Sequence, residues 1–96
     1  MVRHIVLFSL NEGHDAEVEG YLAAAKTFVG QIPGLINMEM KRDFLHSERS
    51  YDVGLIATLE SREALEAYAS HPIHLPLKKG MAAICKSVVC CDFDVD

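Results

Sequence analysis

The segment Tyr68-Ala-Ser-His71-Pro-Ile-His74 brings two imidazoles and a phenol close together in the chain. An imidazole exchanges a proton near neutral pH. A phenol hydroxyl donates a hydrogen bond to a carbonyl or enolate oxygen. Such a set can abstract an acidic proton beside a carbonyl group without metal or cofactor. His4 lies far away in sequence but falls in the middle of an apolar run, Val2 to Leu10. The i,i+3 spacing of His71 and His74 puts both rings on one side if the segment is helical. Pro72 works against that geometry. The same residues also admit a structural reading. His71 and His74 then satisfy backbone groups around the Pro break, and Tyr68 is a core aromatic with its hydroxyl at the rim.

Other chemistries have weaker support. His4, His71 and His74 could supply three nitrogens to a metal, but the sequence places no carboxylate beside them. Asp92, Asp94 and Asp96 share a strand face and suit a hard cation only if drawn together; a solvated terminus is the simpler reading. Glu39 and Asp43 read as a solvent face, and Tyr21 and Phe28 as core. The six glycines are dispersed and form no phosphate loop. There is no Gly-x-Ser-x-Gly elbow and no His-Glu-x-x-His zinc helix. No metal and no cofactor are expected. Cys85, Cys90 and Cys91 are an odd, late cluster and make no disulfide framework. They read as buried free thiols, with Cys90 and Cys91 facing opposite ways in a strand.

The elements that must position these residues follow from periodicity. Residues 2–10 are β-branched and aromatic, and read as a strand. Val2, His4, Val6, Phe8 and Leu10 share one face; Ile5 and Leu7 lie on the other. Asp15 is placed to cap a helix. Val18, Tyr21, Leu22, Ala25, Phe28, Val29 and Ile32 recur at helical spacing until Pro33-Gly34. Residues 35–44 alternate, with Ile36, Met38, Met40 and Phe44 opposite Asn37, Glu39, Lys41 and Asp43. That alternation suits antiparallel pairing or an edge. Residues 51–59 form a third strand, in which Gly54 admits close approach by another group. Ser61 caps a second helix, which breaks at His71-Pro72. A short helix resumes near Leu77 and runs to Cys85. Residues 87–95 are the last strand.

The order β-α-β-β-α-β is ferredoxin-like, an α+β subunit with a four-stranded antiparallel sheet and helices on one face. The chain has 96 residues, which suits one domain spanning 1–96. Strands one and four carry apolar side chains on both faces. Helices cover only one side, so the other needs a further layer, and a second copy is the economical source. This points to a homodimer. The pocket for His4, Tyr68 and His74 then lies either between sheet layers or beside the helix break. Nine basic against fourteen acidic residues give a net charge of −5, which argues against nucleic acid. No apolar stretch is long enough for a membrane span. The expected location is the cytoplasm.

The opening Val-Arg-His4-Ile-Val-Leu-Phe, the Pro33-Gly34 step and the His71-Pro-x-His74 segment resemble the stress-responsive dimeric α/β-barrel family, Dabb. The likeness spans almost the full length. It implies a ferredoxin-like subunit and a two-subunit barrel. One region also resembles a plant polyketide cyclase of that family, which closes a linear polyketide by an aldol reaction. That likeness makes His74 the general base and Tyr68 an orienting group or oxyanion donor. His4, Val6, Phe8 and His71 would line the pocket, with His71 also steadying the turn. Pro76 departs from the cyclase, and Leu75, Leu77 and Lys78 could narrow the pocket. Two functions follow as expectations. One is a small carbonyl or hydrophobic ligand held between sheet and helices. The other is a cofactor-independent cyclase, isomerase or lyase.

Overall fold

A computed structural model describes residues 1–95. Its elements are β1 (Val2–Leu10), a 3-10 turn (Asp15–Glu17), α1 (Val18–Ala25), β2 (Leu35–Arg42), β3 (Val53–Leu59), α2 (Arg62–Ala69), α3 (Leu75–Ile84) and β4 (Cys85–Asp94). The strands form one sheet in the order β2-β3-β1-β4. All three pairings are antiparallel. This is the ferredoxin-like arrangement, with β2 and β4 at the edges. Among the described residues, no helix is long and apolar enough to cross a membrane.

Register decides what each face carries. His4 pairs with Ala57, Val6 with Leu55 and Phe8 with Val53. Directly opposed residues share a face, so these six look toward the helices. Val6, Phe8, Met40, Leu55 and Leu59 pack there against Val18, Phe28, Tyr68, Leu77 and Met81. On the other face Ile5 opposes Ile56 and Leu7 opposes Gly54. Leu7, Ile56, Val89 and Phe93 remain exposed there. The bare apolar face expected from the sequence is therefore present.

Several local expectations change. The first helix stops at Ala25, well before Pro33. Gly30 takes φ 93° inside the turns that follow. Phe28 and Ile32 still reach the core from those turns, whereas Val29 is exposed. Asp15 caps nothing with its side chain; its Oδ1 instead accepts from Arg42 Nη1 at 2.7 Å. Arg42, which interrupts the apolar face of β2, thus ends the strand in an ion pair, joined by Glu19 at 2.9 Å. A bulge between Leu35 and Asn37 removes Ile36 from the buried face and puts Leu35 there. Phe44 lies beyond the strand and is 90% exposed. The third helix starts at Leu75 because Pro76 falls in its first turn, where no backbone donor is needed. The cysteines are free, but Cys90 and Cys91 are exposed and Cys85 is half-buried. The helices do not reach across β4.

Ser61 does cap α2, its Oγ accepting from Ala64 N at 3.1 Å. The same residue of α2 fixes the need for glycine at position 34. Gly34 takes φ 83°, and a Cβ there would sit 2.7 Å from Ala64 Cβ. Left-handed backbone costs a non-glycine residue about 1–2 kcal/mol, and the overlap adds to it. Gly34→Ala should therefore lower stability by about 1–3 kcal/mol, read as a lower urea midpoint at unchanged slope. An unchanged midpoint would contradict this account.

Candidate ligand and proton-transfer site

The break after α2 builds the site. On an unbroken helix, six residues would turn His74 about 240° away from Tyr68. Instead α2 ends at Ala69 and the chain turns tightly. His71 N donates to Tyr68 O at 3.1 Å, and His74 N donates to His71 O at 3.0 Å. Pro72 sits where a missing donor does no harm. His74 then occupies the position just before α3, and its side chain does not cap that helix. The result is a stacked pair, with the Tyr68 and His74 ring centroids 4.0 Å apart and 26° between planes. His4 meets Tyr68 from β1, edge-on at 6.0 Å.

These rings border a cavity of about 320 Å³ between the helices and the sheet. His4, Val6, Phe8, Tyr68 and His74 all line it, with Leu65, Leu77, Val88 and Cys90 among the other walls. The two positions open from the sequence are thus resolved toward the helix side of the sheet, beside the break. His71 does not line the cavity. Its Nδ1 accepts from Ile73 N at 3.1 Å and steadies the turn. The i,i+3 pairing fails because the segment is a turn and not a helix. A larger, more open depression of about 430 Å³ lies on the opposite face, around Ile5, Leu7, Tyr51 and Gly54. It is lined by no histidine.

Burial sets the electrostatics. Tyr68 is 1% exposed and His74 7%. Tyr68 Oη and His74 Nδ1 are closed to solvent and have no hydrogen-bond partner. Removal from water lowers the His74 pKa below the ordinary 6.5. The backbone oxygens of Ala69 and Tyr68 offset part of that shift, while Lys78 and His4 add to it; neither oxygen makes a hydrogen bond to Nδ1. His74 is therefore a neutral imidazole at neutral pH. Burial raises the Tyr68 pKa, so its hydroxyl keeps its proton.

Asp92 is the residue that spacing did not single out for this site. Its Oδ1 pairs with His4 Nδ1. The register foretells the contact, since His4 and Asp92 are directly opposed across β1 and β4. A carboxylate at Nδ1 favours the proton there and leaves Nε2 as the acceptor. Asp94, read from the sequence as part of a solvated terminus, pairs with Arg62, whose Nε donates at 3.1 Å. Asp96 lies outside the described residues.

Residues 2–95 match the sequence pattern of the stress responsive A/B barrel domain family, Dabb. An uncharacterized protein of Streptomyces coelicolor is 32% identical over 77 residues, covering 77% of this chain and 79% of that one. Among solved structures, a dimeric ferredoxin-like protein of unknown function from Thermobifida fusca superposes with a TM-score of 0.87 at 27% identity, over 98% of this chain and 90% of that one. A hydroxynitrile lyase from Passiflora edulis superposes with a TM-score of 0.83 at 15% identity, over 99% of this chain and 93% of that one. The lyase shares the fold, and fold alone assigns no reaction. The match spans nearly every residue, and the strand order, the Pro33-Gly34 turn and the His71-Pro72 break all fall within it: the chain belongs to the stress responsive A/B barrel domain family.

Proposed function

We propose that the protein is a homodimer in which each chain holds a small, largely apolar carbonyl compound in the cavity beneath the α2–α3 break. One observation carries this reading: three polar rings converge on a cavity whose remaining walls are mostly hydrocarbon. Pockets of this make-up bind an apolar body and orient one polar head. The volume of about 320 Å³ suits a ligand at the small end of that class. His74 addresses the head group. Tyr68 orients the His74 ring by stacking behind it, since its own hydroxyl is sealed. Asp92 holds His4. A cytoplasmic location suits the three free thiols, which stay reduced there.

The dimer follows from the bare sheet face. Leu7, Ile56, Val89 and Phe93 cover it with hydrocarbon that no element among the described residues roofs. Burial of such a patch is worth about 25 cal/mol per Å². The similar Thermobifida fusca structure is dimeric. Sedimentation should find dimers at micromolar concentration, and Leu7→Lys, which places a charge in the middle of the face, should shift them to monomers. A wild-type chain that sediments as a monomer throughout would remove the assembly.

A second reading rests on His74 being buried and neutral. Such an imidazole can take a proton from the carbon next to a bound carbonyl, which is the opening step of a cofactor-free cyclisation, isomerisation or lysis. A hydroxynitrile lyase on the same fold is compatible with that chemistry.

Cyclohexanone separates the two readings. Titrated into protein with labelled histidine, it should move the His74 Cε1–H resonance saturably, and Ala82→Trp at the cavity wall should abolish the effect. No saturable change at His74 would end the binding reading.

In heavy water, the proton-transfer reading predicts catalysed deuterium exchange at the α-carbon of cyclohexanone. His74→Asn should slow it about 100-fold. The rate should hold constant as pH falls through 6.5 and decline only below it, because burial keeps His74 unprotonated there. Exchange no faster than free imidazole gives would exclude catalysis and leave binding intact.

A further inference from the structure

His4 differs from the other two rings of the cavity in what its polar atoms meet. Its Nδ1 pairs with Asp92 Oδ1 across β1 and β4. Its Nε2 has no partner among the described residues, yet it is not one of the sealed atoms, which are Tyr68 Oη and His74 Nδ1. The side chain is only 17% exposed, and the space it borders is the cavity. The carboxylate keeps the ring proton on Nδ1, so Nε2 presents a lone pair there. A half-buried acceptor is ordinarily met by a donor. A carbonyl oxygen only accepts, so it cannot satisfy this nitrogen. Lys78, the one charged side chain that lines the cavity, opposes an ammonium donor. A neutral hydroxyl is the donor that suits both residues.

We propose that the cavity selects carbonyl compounds that also carry a hydroxyl group, with His4 Nε2 accepting from the hydroxyl and Asp92 fixing the His4 tautomer. The proposal deepens the small-carbonyl reading above and rests on it. His4 and His74 both stand against Tyr68, with ring centroids 6.0 and 4.0 Å from it. A compound of one six-membered ring can turn its carbonyl to His74 and its hydroxyl to His4. Asp92 does not line the cavity. It is a positioning residue, which acts on the ligand only through the proton it holds on His4. A ligand without the hydroxyl leaves Nε2 facing hydrocarbon, and a site built to accept a hydrogen bond discriminates against the analogue that lacks the donor. Asp92 is 40% exposed at the sheet edge, so an amide of the same shape can replace it without disturbing the core.

The test compares 4-hydroxycyclohexanone with cyclohexanone, each titrated against the His74 Cε1–H resonance, and reads the His4 tautomer from its ring nitrogen shifts. In the wild-type protein the His4 proton should rest on Nδ1, and the hydroxyketone should bind about tenfold tighter than cyclohexanone. His4→Phe, which keeps an aromatic ring beside Tyr68, should make the two affinities equal. In Asp92→Asn the amide can donate to Nδ1 and send the ring proton to Nε2. The nitrogen shifts should report that exchange, and the preference for the hydroxyketone should shrink with it. A wild-type His4 protonated at Nε2, equal affinities for the two ketones, or a preference that survives His4→Phe would overturn the proposal. A tautomer and a preference that both survive Asp92→Asn would overturn the role of Asp92. If cyclohexanone still moves the His74 resonance where the preference is missing, carbonyl binding stands and the hydroxyl contact alone falls. If neither ketone moves it, both fall.

Discussion

Pro72 divides what would otherwise be one long helix over the sheet. A continuous helix from Arg62 to Ile84 would point Tyr68 and His74 in different directions and seal the sheet with a single ridge. The proline restricts the residue before it and lacks a donor, so the chain turns through residues 70–74 and restarts. The turn is itself hydrogen-bonded, through His71 N, His74 N and the His71 ring. It therefore holds its shape without spending the His74 side chain. That side chain is left free to stack on Tyr68 and to border the cavity. The position of His74 beside Tyr68 at the cavity wall derives from this one interruption.

The site is built against the folding preference of its own groups. A buried, unpaired polar atom costs about 1–3 kcal/mol, and Tyr68 Oη and His74 Nδ1 both lie in that state. Hydrocarbon at both positions would suit the core better. Their environment keeps the imidazole neutral and the phenol protonated. His4 is treated differently, because Asp92 partners it at the exposed edge of the sheet. Two histidines on one cavity thus differ in their surroundings: His74 is removed from water, and His4 is paired with a carboxylate.

Legibility in the sequence followed the strength of the periodic signal. The strand faces of β1 and β3 read correctly because their register runs unbroken and His4 stands between Val2 and Val6 on its own face. The Ser61 cap and the Pro72 break read correctly because each rests on one local rule. Three readings failed where tertiary packing overrode a local pattern. Phe28 and Ile32 continue a helical spacing yet sit in turns, since Gly30 at φ 93° allows the core to be filled without a helix. Ile36 alternates with its neighbours, but the bulge beside it shifts the register by one. Cys90 and Cys91 look like core thiols by type, but they lie on an edge strand where both stay exposed. Asp92 reads from the sequence only as one of three strand-face acids, because its meaning lies in cross-strand register with His4, and no spacing along the chain encodes a partner 88 residues away.

Strand β4 joins the cavity wall to the bare sheet face. Val88, Cys90 and Asp92 face the cavity side, and Val89, Cys91 and Phe93 face the open side. A period of two means that neither set can move without the other. In the homodimer proposed above, the second copy fixes the odd-numbered set and so stiffens the wall of the cavity formed by the even-numbered set. A ligand that presses on Val88 and Cys90 acts in return on the face that carries the partner. Free-energy coupling of this kind is reciprocal. Whatever the dimer does for ligand affinity, the ligand does for dimer affinity, and the edge strand is the element through which both would be felt.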